Sequence, residues 1–248
     1  MDPLPDEASL TARYEAEHRA GKWQSLFDVA PRTDRVRRVR LLASLAGPAS
    51  GRRTVLDVGF GDGGFLDEAA AEGWRTLGLE ISLGAARSAD RRHLRVVGAL
   101  TCLTEAPVVD VITFWDVLEH VADPADVLCQ ALARLRPGGL VALSMPNARG
   151  TEAWVHGARW RYHDLATYGH LVHAAPGPLA GLLSGLGLRL VHRETSGSVD
   201  LRNLIAGWGD GRGKRTAQWM LDKASGALAR IAEALGCGNT LLLVARKP

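Results

Sequence analysis

Three glycines at alternate positions follow an acidic residue in the sequence VLDVGFGDGGF. They are Gly59, Gly61 and Gly63, and Asp57 lies two positions before the first of them. Glycine allows a backbone to adopt positive φ and a ligand to approach the peptide plane, and a following helix offers unpaired N–H groups. A tight turn without a ligand would use the same glycines, so this loop alone leaves both interpretations open.

Glu80 lies about 20 residues beyond the glycine loop, at the end of the apolar run LGLE. A carboxylate at this place can accept hydrogen bonds from both ribose hydroxyls, which favours a nucleoside cofactor. The glycines stand at alternate positions, unlike those in the G-x-G-x-x-G motif of dinucleotide-binding enzymes. This spacing does not provide a binding site for a pyrophosphate. Asp57, the glycines and Glu80 therefore predict a nucleoside cofactor of another kind.

His120, in the sequence LEHV, is the histidine best placed for chemistry. It follows the apolar run VDVITFW, a predicted strand, so it should lie at the carboxyl edge of the sheet, where open α/β folds bind ligands. A neutral imidazole is the usual general base near pH 7 for a hydroxyl acceptor. The alternative is that His120 braces the helix that follows it, and the residues leave both roles open.

A stretch rich in Trp, Tyr and His, from Trp154 to His173, shows no regular period and is where a substrate-facing insertion would lie. We predict that it forms a pocket wall from Trp154, Trp160, Tyr162, His163, His170 and His173. Three histidines without a nearby cluster of acids are more often pocket or surface residues than metal ligands, so we predict no metal site.

The elements that must position these residues alternate short apolar runs with helical stretches from Thr54 onwards. This order predicts an α/β fold with a Rossmann-like doubly wound sheet, mostly parallel with an antiparallel last strand, and helices on both faces. The predicted strands are TVLDV, RTLGLE, LRVVG, VDVITFW, GLVALSM, 188–192 and 241–245. The predicted helices are 14–27, 33–45, 64–72, 124–134, 178–185 and 214–235.

One domain is expected over residues 1–248. Residues 1–50 would form an N-terminal helical cap, 51–147 the cofactor-binding core, 148–236 a substrate-side insertion with helices, and 237–248 the last strand. Within the helix predicted at 214–235, apolar residues recur at helical spacing: Met220, Ala224, Leu228, Ile231 and Leu235. We interpret this stripe as a core face rather than a membrane or partner surface.

Composition excludes several classes of function. The net charge of +3 is spread along the chain and is too mild to indicate nucleic acid, and we interpret the arginine-rich run Arg32–Arg40 as a solvated helix face. Three cysteines without a C-x-x-C pair indicate neither a disulfide framework nor a zinc site. No signal peptide or apolar span of roughly 20 residues is recognisable, so we expect a cytoplasmic protein.

Five segments in order resemble the motifs of class I S-adenosylmethionine (SAM)-dependent methyltransferases. VLDVGFGDGGF resembles the first motif, GLEIS the ribose-binding segment, VDVITFWDVLEHVADP the fourth-strand segment, RLRPGGLVALSMPN the fifth-strand motif, and GHLVHAAPGPLAGLLSGLGLRLV the stretch before the sixth strand. The resemblance runs from about Tyr14 to the C-terminus. It is closest to the small-molecule branch that includes ubiquinone-biosynthesis-type O-methyltransferases.

The resemblance implies SAM as the cofactor and gives roles to individual residues. Asp57 and the glycines would lie beside the methionine part of SAM, Glu80 at the ribose, and Ile81 against the adenine. Trp115 and Asp116 would close the other side of the site. Ala99 and Leu100 would also line it, where relatives often place an adenine-binding Asp, and Thr101 or a backbone carbonyl would replace that Asp. In phosphoethanolamine-type relatives, a histidine matching His120 acts with an N-terminal tyrosine, which suggests Tyr14.

The function that the resemblance implies is methyl transfer from SAM to a small-molecule acceptor, most naturally a hydroxyl of a natural product, quinol or sugar. N- or C-methylation, a non-methylating reaction such as a cyclisation, and a catalytically silent binding protein are the alternatives. Besides the acceptor, we expect no nucleic-acid or membrane partner, and a homodimer is an open option.

Overall fold

The computed structural model describes residues 12, 16, 31–48, 51–81, 94–97, 107–197 and 212–248. Seven strands form one sheet in the order β3-β2-β1-β4-β5-β7-β6. They are β1 Thr54–Val58, β2 Arg75–Glu80, β3 Leu94–Val97, β4 Val109–Trp115, β5 Leu135–Pro146, β6 Arg189–Ser196 and β7 Thr240–Arg246. β7 pairs antiparallel with both of its neighbours, and the pairs from β3 to β5 are parallel. The predicted doubly wound sheet with an antiparallel last strand is confirmed.

Seven α-helices lie in the described part of the chain. They are α1 Arg32–Ala46, α2 Gly64–Ala71, α3 Pro124–Leu132, α4 Thr151–His156, α5 Leu165–Tyr168, α6 Pro176–Gly185 and α7 Arg212–Ala234. Short 3-10 helices occupy Leu118–His120, Gly157–Arg159 and Arg161–His163. The helix predicted at 14–27 lies outside the described residues except for Ala16, which is helical. None of the described helices is both long and apolar enough to cross a bilayer.

Alternate side chains of the buried strands pack into two apolar clusters, one on each face of the sheet. Val55 and Val111 cluster with residues of α1 and α2, whereas Leu56 and Ile112 cluster with residues of α3 and α6. This is the period of two expected of a strand that is covered on both faces. β1 and β4 are neighbours, and successive strands run outward from them in opposite directions. Ligands of such sheets bind beside the carboxyl ends at this reversal of order.

Two sequence-based interpretations are wrong. The stripe on α7 is not a core face, because Met220, Leu228, Ile231 and Leu235 are all exposed. The side that the chain covers is the neighbouring one, which carries the buried Ala232. The arginine-rich run is not wholly solvated either, since Arg38 lies on the covered side of α1 with Val39 and Leu42 and is buried.

Candidate functional site

The glycine loop connects β1 to α2 in a conformation that only glycine adopts readily. Gly59, Gly61 and Gly63 have φ values of 73°, 55° and 77°, and Gly63 is the residue from which α2 begins. The backbone N–H of Gly59 donates to the carbonyl oxygen of Leu79 at 2.7 Å. The loop is therefore tied to the end of β2 and leads directly into a helix N-terminus.

Glu80 lies beside this loop, as the sequence predicts. Its side chain is mostly buried, and its Oε2 accepts a hydrogen bond from the backbone N–H of Gly61 at 3.1 Å. Ile81, the next residue, is 37% exposed. A Cβ added to Gly61 would have no heavy atom within 4 Å, apart from those of Gly61 and its two chain neighbours. The absence of a side chain at Gly61 thus leaves open space next to the loop, with a fixed carboxylate and an accessible apolar side chain nearby.

Asp57 lies in β1 just before the loop and is fully enclosed. Its Oδ1 accepts a hydrogen bond from the Thr113 hydroxyl at 2.6 Å. Burial raises the pKa of Asp57 to about 7, and the charge of Glu80 adds to the effect, although the Thr113 bond and the charge of Arg38 oppose it. A positive charge placed next to Asp57 would favour the ionised form.

Trp115 is the last residue of β4, the strand that pairs with β1, and Asp116 follows it. Asp116 adopts φ 54°, and its backbone N–H donates to the carbonyl oxygen of Ser144 at 3.0 Å. Its side chain is accessible to solvent, yet the pKa is raised, mainly because surrounding protein atoms displace its hydration. The edge of Phe65 packs against Trp115, with ring centroids 5.2 Å apart.

Arg38 is a site residue that the sequence analysis missed. Its guanidinium carbon lies 4.5 Å from the centroid of the Trp115 ring, and its Nε lies 2.7 Å from Asp34 Oδ2. Its charge lowers the pKa of both Asp57 and Asp116. A usable signal was present, because Arg38 and Leu42 are four residues apart and share one face of a helix.

The site thus combines a glycine loop, an acid at the end of the next strand and a β4 terminus, all at the carboxyl edge of a doubly wound sheet. A family model described as a methyltransferase domain matches residues 16–193. The chain belongs to the methyltransferase domain family. This confirms the family predicted from the motif order, an enzyme family for which SAM is the cofactor.

Similar proteins of this family include the ubiquinone biosynthesis O-methyltransferase of Serratia proteamaculans, which is 33% identical over 155 residues. The match covers 56% of this chain and 64% of that protein, which is less than two thirds of the relative's length. The corresponding enzyme of Bordetella avium is 39% identical over 120 residues, or 44% of this chain and 49% of that protein.

A solved structure with the same fold is the Burkholderia thailandensis 1,6-didemethyltoxoflavin-N1-methyltransferase with bound 1,6-didemethyltoxoflavin and S-adenosylhomocysteine. It has a TM-score of 0.63 and 16% identity, and it covers 100% of this chain and 92% of that chain. A SAM-dependent methyltransferase from Archaeoglobus fulgidus has a TM-score of 0.60 and 19% identity, and the match covers 98% of this chain and 100% of that chain. Both structures share the fold of the described part of this chain.

His120 lies in the 3-10 helix that follows β4 and is buried, with only 8% of its surface exposed. Its Nδ1 lies 3.2 Å from the carbonyl oxygen of Gly169, and its ring is edge-on to His170 with centroids 4.7 Å apart. The carbonyl oxygen of Glu119 accepts hydrogen bonds from the backbone N–H groups of Leu171 and Val172. His120 therefore joins the end of β4 to the segment 169–172. Its role as a brace for the helix that follows stays a prediction.

Glu119 and His170 complete a buried cluster with His120. Among the residues that the structure describes, neither carboxyl oxygen of Glu119 has a hydrogen-bond partner, and burial raises its pKa well above the ordinary value, with a further contribution from Asp116. Burial, together with His120 and His173, lowers the pKa of His170 to about 3. The ligand atoms of the three residues lie within 4.8 Å of one another, close enough for one metal ion. The absence of a metal stays a prediction.

Most of the residues that we predict to form a pocket wall are gathered around Trp160, which is buried. Its ring contacts the rings of Tyr162, His163 and His173 at centroid distances of 5.1 to 5.5 Å. Tyr162 stacks on His170 with centroids 4.7 Å apart. Trp154 stands apart from this cluster, since it is 84% exposed.

Four residues that the sequence analysis placed at the site lie outside the described residues: Tyr14, Ala99, Leu100 and Thr101. Their roles stay predictions.

Proposed function

We propose that this chain transfers the methyl group of SAM to a hydroxyl of a small-molecule acceptor, such as a natural product, quinol or sugar. The observation that carries the proposal is the cradle between Gly61, Glu80 and Ile81. Open space takes the place of a side chain at Gly61, a carboxylate is held beside it, and an apolar side chain is left accessible. These are the features that a nucleoside with an attached amino acid requires.

Each part of SAM would be bound by a different residue of the site. Glu80 would accept the ribose hydroxyls, and Ile81 would pack against the adenine. Asp57, near its pKa at neutral pH, would ionise in response to the ligand's positive charge. Arg38 would bind the ligand's carboxylate, because a guanidinium has five N–H donors, more than its contacts with Asp34 and Ser144 require.

SAM supplies an electrophilic methyl group on a sulfonium. The chain's own contribution is then to hold the acceptor in line and to exclude water, which can account for up to about 7–11 kcal/mol of the barrier. The Trp115 ring, at the end of β4, already packs against the Arg38 guanidinium and so adds a cation–π contact that holds Arg38 at the site.

His120 would receive the proton of an acceptor hydroxyl. If Nδ1–H donates to the Gly169 carbonyl, the neutral ring carries its lone pair on Nε2, which is the form that a general base requires. The same hydrogen bond fixes the ring orientation. The opposing proposal, in which His120 only joins two segments, uses the same contact, so a kinetic measurement has to separate them.

The free thiols of Cys129 and Cys237 support a reducing, cytoplasmic setting for this reaction.

The proposal is tested by incubating the purified chain with SAM carrying a labelled methyl group and a panel of phenols, quinols, sugars and amines. Label transferred to a hydroxyl compound together with S-adenosylhomocysteine supports it. Transfer to amines alone would move the assignment to N-methylation, and product formation without S-adenosylhomocysteine would indicate a non-methylating reaction.

A further inference from the structure

An apolar stripe on α7 faces solvent. Met220, Leu228, Ile231 and Leu235 are 57%, 44%, 56% and 72% exposed. With Ala224 between them, they recur every three or four residues from Met220 to Leu235, the residue directly after α7, and therefore occupy one side of the helix over about four turns. Soluble monomers rarely leave so long an apolar surface exposed without a use for it.

One edge of this stripe is positively charged. Lys223 and Arg230 are seven residues apart, so they lie on one side of α7, about a quarter turn beyond the stripe, and both are exposed. The acidic residues Asp222 and Glu233 lie on the opposite side of the helix. Each accepts a hydrogen bond from within the chain, Asp222 from Gln218 and Glu233 from the backbone of Gly197.

The whole helix is basic and amphipathic. By sequence it has five basic residues, Arg212, Lys214, Arg215, Lys223 and Arg230, and two acidic ones. A helix of low net hydrophobicity with one apolar face and an excess of basic residues is typical of peptides that lie in the interface of a bilayer.

We propose that α7 docks this protein onto the surface of an anionic lipid bilayer, with the stripe among the acyl chains and Lys223 and Arg230 at the headgroups. Charge favours this occupant over a second copy of the chain. In an antiparallel pair of α7 helices, each edge of one helix lies beside the same edge of the other. The basic residues of the two copies would therefore lie next to each other and repel. This inference does not depend on the proposed methyl transfer, and it revises the expectation that the chain has no membrane partner.

The test measures sedimentation of the full chain with vesicles of phosphatidylcholine alone and of phosphatidylcholine with about one third phosphatidylglycerol. One variant carries Leu228→Asp and Ile231→Asp, and another carries Lys223→Glu and Arg230→Glu. Matched controls are Val108→Asp, an exposed apolar residue outside α7, and Arg75→Glu, an exposed arginine on β2. Thermal unfolding followed by circular dichroism checks that each variant folds.

We expect at least about tenfold stronger binding to the anionic vesicles than to the neutral ones, since each basic residue contributes about fivefold. Both α7 variants should lose about tenfold or more, both controls should bind as the wild type does, and salt should weaken binding. Failure of the wild type to bind anionic vesicles overturns the proposal, as does an equal loss in the controls. A wild-type dimer that the Leu228→Asp and Ile231→Asp variant converts to a monomer, without vesicle binding, would assign the stripe to a second copy.

Discussion

The backbone N–H of Gly61 donates to Glu80 Oε2 at 3.1 Å. Through this bond the loop after β1 and the end of β2 hold each other in place, so the carboxylate is positioned before any ligand arrives. Such preorganisation lowers the entropic cost of binding. It also means that a change at Gly61 disturbs both the open space and the carboxylate next to it.

We predict that Gly61→Val removes measurable SAM binding, because its side chain would fill the open space beside the loop. Positive φ costs a β-branched residue roughly 1–2 kcal/mol in addition. Gly73→Val is the matched control, since Gly73 also has positive φ and open space but lies at the amino end of β2. Calorimetry and thermal unfolding of both variants separate the two effects, and normal SAM affinity in Gly61→Val would place the ligand elsewhere.

Asp57 predicts a pH dependence of SAM binding. A positively charged ligand prefers the ionised carboxylate, and the pKa of Asp57 is about 7, so binding below that pH must release a proton. SAM affinity should therefore rise with pH between about 6 and 7.5, by at most about tenfold per unit. Asp57→Asn keeps an acceptor for the Thr113 hydroxyl and should flatten the profile. Equal pH profiles in the wild type and in this variant would remove Asp57 from contact with the ligand's charge.

If Arg38 binds the ligand's carboxylate, its replacement should weaken the binding only of ligands that carry this group. Arg38→Lys keeps the charge but loses the planar fork, so affinity for S-adenosylhomocysteine should fall by about tenfold to a hundredfold, the range for hydrogen bonds between charged groups. Affinity for 5′-methylthioadenosine, which lacks the carboxylate, should not change. Arg37→Lys is the control, because Arg37 is half-exposed and pairs with Asp34 and Glu194. A similar loss for both ligands would indicate that Arg38 acts on the fold rather than on the carboxylate.

For His120, the proposed role as a base predicts that His120→Asn lowers kcat by roughly 10²–10⁴-fold with SAM affinity unchanged, because proton transfer matters only in the transition state. His120→Ala should lower the melting temperature as well, since the Gly169 carbonyl would lose its buried partner. The exposed His156→Asn serves as the control. A near-wild-type rate in His120→Asn would rule out the general-base role. His120 would then only connect the end of β4 to the segment 169–172.

Sequence predicted the sheet well because its strands are buried on both faces. The bounds of β1, β2 and β4 coincide with the apolar runs TVLDV, RTLGLE and VDVITFW, since parallel strands covered by helices are nearly continuous in apolar residues. The strand predicted as GLVALSM begins earlier in the structure, because Arg136–Gly139 also belongs to β5, where pairing with β4 shifts register near Val109. Glycine and proline mark local irregularity, and they do not distinguish a turn from a bulge.

The errors on α7 and Arg38 have one physical origin. Periodicity shows that a helix has an apolar side, but which surface covers that side depends on contacts distant in sequence. On α7 the chain covers the side of Ala232 and leaves Ile231 exposed, whereas on α1 it covers an arginine. Helical spacing puts Arg38 on the same side of α1 as Leu42, but it does not identify Trp115, 77 positions away, as the residue that the guanidinium packs against.

Calorimetric titration with SAM of the wild type and Glu80→Ala tests most directly whether SAM binds in the open space beside the glycine loop and Glu80. The wild type should bind one equivalent. The variant should keep its fold and lose about 1–3 kcal/mol of binding free energy, because charged hydrogen bonds to the ribose are removed. Unchanged SAM affinity in Glu80→Ala, or no binding to the wild type, would contradict the account.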